Sequence, residues 1–462
     1  MQRKIPRIVI AATQSGSGKT TIVTGLLAAL RAKGLRVQSY KIGPDYIDPG
    51  YHELASGRPG HNLDTWLVPA EKLSEIFQRT LQDADLAIIE GVMGLYDGGK
   101  NGISSTAAVA KLLKAPVLLV INAKSMGESA AALALGFKAY DPSVDIAGVI
   151  LNRLGSTTHR DMIVEALDKL GIPVCGAVFR NEKMTMPERH LGLLPVTEND
   201  REQEVVAEIG RTIAAQVDLT KIQALAAAAP PLDIAESAAL PQQRKVRIAV
   251  ARDEAFSFYY PESLQVLEAD GAEIVPFSPL RDKTMPAADG LILGGGFPEM
   301  FAKELYANQS MRRSIQQAAQ AGMPIYAECG GFMYLMEKLI DFAGEEFPMA
   351  GIIPGKVQMN KKLQTVGYVS AAMQLDTVLG ERGTVLHGHE FHFSSECDPE
   401  PGQDYPRAFT FTRMRKPDAY PAGYAKGNIL GSYLHLHFAG CPQAAAHFVA
   451  ACSRYHHKKE AD

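Results

Sequence analysis

Two short segments of this chain carry residue types arranged for chemistry. Near the N-terminus, Ala12-Thr13-Gln14-Ser15-Gly16-Ser17-Gly18-Lys19-Thr20 joins the apolar run "RIVIAA" to a stretch of helical pattern. Far downstream, "PIYAECGGFMYLM" (Pro324 to Met336) repeats that outline of strand, turn and helix, with Cys329 at the turn and Gly330 and Gly331 directly behind it. The first arrangement suits phosphate and the second suits covalent chemistry, so the function must use both.

A phosphate-binding loop needs glycines because its backbone N–H groups close around phosphate oxygens, where a Cβ would intrude. Gly16, Ser17 and Gly18 supply that backbone, Lys19 reaches the terminal phosphates, and the Thr20 hydroxyl ligates Mg²⁺. The helix that follows directs its positive end at the anion. The full pattern asks for glycine at position 13, where this chain has Thr13, and a glycine turn that merely caps a helix is the bland alternative. Two further segments carry acids at the expected carboxyl ends of strands, where ligands of parallel sheets gather. "YKIGPDYIDPGYH" offers Lys41, Asp45 and Asp48, and "AIIEGVMGLYDG" offers Glu90 and Asp97. Thr20, Asp45, Asp48 and Glu90 are the expected metal set, Lys41 is expected beside the nucleotide, and Asp97 is a metal or substrate contact. Taken singly, each acid also reads as a solvated loop residue or a helix cap.

At the second turn, a nucleophile on a sharp bend projects from the sheet while the helix N-terminus favours its thiolate. A developing oxyanion needs donors, and the backbone of Gly295, Gly296 (in "LILGGGFPE") and Gly330 can supply them. A thiol also wants a base. Among twelve histidines, "GSYLHLHF" offers His435 and His437, and "LHGHEFHFS" offers His387, His389 and His392. A buried structural thiol is the alternative reading of Cys329.

The elements that must position these residues follow from patterning. In the first half, "RIVIAA" (Arg7–Ala12), "RVQSY" (Arg36–Tyr40), "LAIIE" (Leu86–Glu90), "PVLLVIN" (Pro116–Asn122) and "IAGVILN" (Ile146–Asn152) are apolar on both faces, as buried parallel strands are. Helices are expected over Lys19–Lys33, stopped by Gly34, and over Thr106–Leu113. An alanine- and proline-rich stretch reads as a linker over 221–244. Strand runs then restart at "VRIAVA", "EIVPF", "GLILGGG" and "MPIYAEC", with shorter strands and turns beyond Gly351. The expected fold is α/β, with a phosphate-loop synthetase domain over 1–220 and a second α/β domain over 245–455. The length of 462 residues suits two or three domains, and 46% hydrophobic with 21% charged residues suits full cores. A net charge of −4 supplies no basic field for nucleic acid. No run of about 18 apolar residues suggests a membrane span, and the opening run is too short for a signal peptide. Five cysteines without a C-x-x-C pair point to a reduced, cytoplasmic compartment. A homodimer is compatible with the sequence.

The first half resembles the dethiobiotin-synthetase-like branch of P-loop enzymes, which activates a carboxylate with ATP. The neighbouring partition-type ATPases carry a lysine early in the loop, where this chain has Gln14. In the second half, "GGGFPE", "YAECGGFMYL", "GHEFHFS" and "GSYLHLHF" together resemble the class I glutamine amidotransferase domain (flavodoxin-like), in its cobyric-acid-synthase-like branch. That resemblance implies Cys329 as nucleophile, forming a thioester with glutamine and releasing ammonia, and His435 as its base. Better-known members carry glutamate two residues after the histidine. Here His437 stands there, which implies a dyad or a replaced third member. "KIGPDYIDPGYH", "NLDTW" and "EGVMGLYDG" resemble the N-terminal motifs of the corrinoid-amidating members of the same family. The whole then implies ATP- and glutamine-dependent amidation of the a- and c-acetate carboxylates of cobyrinate in cobalamin biosynthesis, with Mg²⁺ and ATP. Tyr46 and Asp97 become expected substrate contacts, with Tyr51, His52, Arg58 and Asn62 as further lining residues. Hydrogenobyrinate, nickel-sirohydrochlorin or the other side chains amidated by cobyric acid synthase are alternative substrates. A nucleotide-dependent scaffold with an inert amidotransferase domain is the non-enzyme alternative.

Overall fold

The apolar runs of the first half form one fully parallel seven-stranded sheet in a computed structural model that describes residues 2–181, 184, 188–189, 192–193, 200–233, 246–397, 402, 404–416 and 418–461. Its strand order is His61–Leu63, Val37–Ile42, Leu86–Glu90, Arg7–Ala12, Val117–Asn122, Ile146–Leu154 and Val174–Phe179. Every residue of Arg7–Ala12 and of Leu86–Glu90 is buried, as a strand covered on both faces requires. The order reverses around Arg7–Ala12, so the phosphate loop that follows it opens at the crevice where ligands bind in such sheets. Helix Lys19–Ala32 buries Ile22, Val23, Leu26, Leu27 and Leu30 in the core, and Gly34 (φ 83°) lies just beyond its end.

The chain divides into two units, one of Met1–Thr65 with Pro69–Ser237 and one of Trp66–Val68 with Ala238–Asp462. Within the second unit, Trp66 stacks on His387 with ring centroids 4.2 Å apart. A ten-stranded sheet forms this unit's frame. Five strands run parallel in the order Ala272–Phe277, Val246–Ala251, Gly290–Leu293, Ile325–Glu328 and Ile429–Ser432. Five more continue antiparallel as Ala419–Lys426, Arg407–Arg413, Thr365–Met373, Val385–His392 and His435–Leu436. A second sheet of four strands includes Met336–Ile340 and Ile353–Met359. The parallel half is the expected α/β layer. The antiparallel extension is what the short strands beyond Gly351 build.

The stretch read as a linker starts inside the first unit. Leu219–Ala227 is a helix with Leu219, Ile222 and Ala226 buried, and Leu232–Asp233 pairs with Gln2–Arg3. Alanine disguised it, because a helix face of small residues packs closely without the bulky periodicity that marks a core helix. Residues 234–245 of the expected linker lie outside the described residues.

Two glycines test this packing. A Cβ on Gly331 would sit 2.1 Å from the Leu293 carbonyl oxygen, whereas one on Gly136, inside the helix Ser129–Tyr140, meets nothing within 4 Å. Gly331→Ala is expected to destabilise the second unit by about 1–3 kcal/mol, and Gly136→Ala to stabilise its helix by up to about 1 kcal/mol, both read by thermal unfolding.

Candidate active site

In the first unit, chemistry gathers around Glu90, the last residue of its strand and a carboxylate with no exposed surface. The Thr20 hydroxyl donates to Glu90 Oε1 at 2.7 Å and lies 3.3 Å from Asp48 Oδ2. Lys41 donates to Glu90 Oε1 at 2.9 Å and also to Asp48, while Lys19 Nζ is 3.5 Å from Glu90 Oε1. His52 Nε2 donates to Glu90 Oε2 at 2.7 Å. Burial opposes the Glu90 charge, but Lys41, Lys19 and His52 outweigh it and hold its pKa well below the usual carboxylate range. Burial, then Asp45, pushes Asp48 up to about 6 against the pull of Lys41. For Lys41, burial acts downward and the carboxylates of Asp48, Glu90 and Asp45 prevail, so it stays charged. Burial and then Lys41 lower Lys19.

The loop beside this cluster has the backbone expected of a phosphate cradle. Gly16 and Gly18 adopt φ of 74° and 81°, and the loop with Asn152, Arg153, Phe179 and Arg180 lines a cavity of about 310 Å³. Asn152 donates to the Ser17 carbonyl at 2.8 Å, and a Cβ on Gly18 would lie 2.5 Å from its Nδ2. The oxygen donors Thr20, Asp48 and Glu90 suit a hard cation such as Mg²⁺. Among the described residues no three His, Cys, Asp or Glu side chains converge as a complete ligand set, so nucleotide phosphates and water would fill the shell.

The remaining expected residues divide. Asp45 Oδ1 accepts from the amides of Ile47 and Asp48, which shapes the loop. Asp97 is exposed and accepts from the Gly94 amide at 3.0 Å, and Tyr46 is half-buried. Three of the residues expected to line a substrate are buried instead, and Arg58 is half-buried. Tyr51, His52 and Asn62 are 1%, 0% and 5% exposed. Asn62 ties down the carbonyls of Gly43 and Asp45, and Arg58 pairs with Gln38 and Asp83. Their loop is rich in polar side chains because it must be pinned, which looks identical to a binding loop in sequence.

In the second unit, Cys329 sits between strand Ile325–Glu328 and helix Gly330–Leu335 with φ 43° and ψ −100°, a strained conformation for a residue with a Cβ. Its amide donates to the Ser432 carbonyl at 2.7 Å and the Gly331 amide to Gly294 at 2.9 Å, which fastens the bend to both neighbouring strands. Gly330 lies against the glycine loop, since a Cβ there would be 3.0 Å from Gly296 N. His435 joins them, because a Cβ on Gly295 would be 2.6 Å from His435 Cε1. The turn, the glycine loop and the histidine segment therefore converge.

One expectation is corrected here. Burial, then Glu299 and Glu328, raises the Cys329 thiol well above its ordinary value, with the Gly330 amide acting only weakly against them. These effects favour the thiol in the resting site, against the lowering expected from the short helix that follows. His389 stacks on His435 at 4.8 Å, His392 stacks on Tyr433, and His437 stacks on Tyr260. Burial and the neighbouring His435 hold His389 neutral.

Comparison with known proteins separates the same two units. Residues 8–194 match the CobQ/CobB/MinD/ParA nucleotide binding domain, and residues 247–442 match the CobB/CobQ-like glutamine amidotransferase domain. A cobyrinate a,c-diamide synthase of Dehalococcoides mccartyi (strain CBDB1) is 46% identical, covering 96% of this chain and 97% of that protein. A hydrogenobyrinate a,c-diamide synthase of Streptomyces coelicolor is 42% identical, covering 97% and 98%. The chain belongs to the family of cobyrinate and hydrogenobyrinate a,c-diamide synthases. A further member, from Syntrophotalea carbinolica, is 44% identical over 97% of this chain and 98% of its own.

Within this member of the family, Asn152 and Glu328 escaped the sequence reading. Asn152 ends an apolar run like any polar cap, and Glu328 precedes the more conspicuous Cys329. The Glu90 cluster carries a direct test. Glu90→Gln removes the charge that holds buried Lys41 and half-buried Lys19, and unpairing a buried ion typically costs about 3–5 kcal/mol. It is expected to lower thermal stability and to abolish ATP-dependent amidation from glutamine and from ammonium alike. Unchanged turnover with ammonium would rule out Glu90 as the centre of the nucleotide site.

Proposed function

We propose that this chain amidates the a- and c-acetate carboxylates of cobyrinate, using ATP to activate each carboxylate and glutamine as the nitrogen source. A phosphate loop over a carboxylate–lysine cluster and a thiol elbow in one polypeptide support this reading. So do full-length relatives that carry the corresponding names. In the first unit the Gly16–Thr20 backbone and Lys19 hold the triphosphate. Thr20, Asp48 and Glu90, with Asp45 nearby, would hold Mg²⁺, which when bound would neutralise charge on the phosphoryl group. A substrate carboxylate oxygen takes the γ-phosphoryl group, giving an acyl phosphate and ADP. Asp97 and Tyr46 are the proposed substrate contacts.

In the second unit, His435 takes the Cys329 proton as the sulfur attacks the glutamine side-chain carbonyl. The tetrahedral oxyanion is held by backbone amides of Gly295, Gly296 and Gly330. Collapse expels ammonia, protonated through His435, and leaves a thioester that water cleaves to glutamate. Ammonia then attacks the acyl phosphate, phosphate leaves, and an amide remains. All five cysteines are free, in keeping with a reduced cytoplasmic setting.

Mass spectrometry of the corrinoid after incubation with MgATP and glutamine tests the reading. Two carboxyl groups are expected to become carboxamides. Conversion of hydrogenobyrinate with cobyrinate untouched would move the substrate to the cobalt-free ring, as the Streptomyces relative's name suggests. Cys329→Ala is expected to lose glutamine-driven amidation and to keep the ammonium-driven reaction. If Cys329→Ala still released glutamate from glutamine, the nucleophile assignment would fall.

A further inference from the structure

We propose that Glu328, immediately before the candidate nucleophile, is the carboxylate that positions His435 for glutamine hydrolysis, in place of an acid two residues after the histidine. The inference deepens the reading of Cys329 and His435 as nucleophile and base and rests on it. A base of this kind must aim one ring nitrogen at the thiol, so the other needs an acceptor that fixes the tautomer and steadies the imidazolium. The sequence neighbour His437 does not serve. It stacks on Tyr260, with ring centroids 4.7 Å apart, and its Nε2 lies 3.8 Å from Glu262.

Glu328 Oε2 lies 3.5 Å from His435 Nδ1. The carboxylate is itself oriented, because its Oε1 accepts from the Tyr326 hydroxyl at 2.5 Å and from the Leu436 amide at 3.2 Å. Both donors come from elements that frame the elbow. Tyr326 is two residues earlier on the same strand, and Leu436 directly follows the histidine. Strand pairing explains why they meet. Glu328 is in register with Ser432, and only three residues later the chain returns His435 over the same strand end. A separation of 3.5 Å is loose for a hydrogen bond, as such contacts often are before substrate binds.

The electrostatics agree with the geometry. His435 is 2% exposed, and a proton taken there from Cys329 creates a buried cation that needs a counter-charge. His389, stacked on His435, cannot provide one and is held neutral. Glu328, 8% exposed, is the carboxylate paired with His435. It also helps keep the resting sulfur protonated, so attack awaits proton transfer to the base. Glu328 acts through His435 and is a positioning residue.

The test is Glu328→Gln in the full chain. Glutaminase kcat is expected to fall roughly 100- to 10,000-fold, as loss of the orienting acid does in a serine triad, with KM for glutamine nearly unchanged. Without the carboxylate the imidazolium that forms loses its counter-charge, so the dependence of kcat/KM on pH should differ from that of the wild type. Glu328→Asp should recover part of the activity. Ammonium-driven amidation should persist, which shows that the variant is folded. If Glu328→Gln does not accumulate as folded protein, Glu328→Asp carries the test through the same kcat and pH readouts. Wild-type glutaminase kcat and pH profile in Glu328→Gln, or that loss appearing in His437→Asn instead, would overturn the proposal. Failure of the underlying reading looks different, since Cys329→Ala or His435→Asn would then keep glutaminase.

Discussion

A carboxylate with no exposed surface holds the first unit's site together. Glu90 is tolerable there only because Lys19, Lys41, Thr20 and His52 all converge on it. Lys19 and Thr20 open helix Lys19–Ala32, Lys41 lies in strand Val37–Ile42 and His52 in helix Asp48–Ser56, so satisfying one buried charge fixes several segments at once. The phosphate-loop lysine, its hydroxyl neighbour and the Asp48 segment are thereby placed before any nucleotide arrives. Preorganisation of this kind lets electrostatic stabilisation act without reorganising the site during reaction. It also gives Lys41 a place that sequence alone does not indicate. Its ammonium sits between Asp48 and Glu90, bonded to both, rather than extended into the loop cavity.

The second unit reuses the strand–turn–helix outline for different chemistry. At the phosphate loop the turn is built from glycines with positive φ, so backbone amides are available to an anion. At Cys329 a residue with a side chain accepts the strained φ, and the glycines stand behind it, where Gly331 packs on the Leu293 carbonyl. One turn presents backbone and the other presents sulfur. Burial of that sulfur beside carboxylates keeps it protonated, which ties its reactivity to a base and so to substrate binding.

Much of this was legible in sequence. Leu86–Glu90 falls where its run of apolar residues predicts, because a strand buried on both faces leaves little choice of residue. The glycine loop opens helix Lys19–Ala32, Glu90 ends its strand, and Cys329 stands at a strand-to-helix turn, as the patterning predicts. What escaped was set by contacts distant in sequence. Asn152 meets Ser17 across 135 positions, and Glu328 meets Leu436 across 108. Tyr51, His52 and Asn62 looked like binding residues because a pinned loop and a binding loop use the same polar side chains. The alanine-rich helix Leu219–Ala227 looked like a spacer because its small residues hide the periodicity of a packed face.

In the proposed chemistry the cluster around Glu90 lets a nucleotide phosphorylate a carboxylate. Isotope transfer tests it most directly. With substrate carboxylates labelled with ¹⁸O, one labelled oxygen per amide formed should appear in inorganic phosphate. Amide formation that leaves all released phosphate unlabelled would contradict the acyl phosphate and the role given to the whole site.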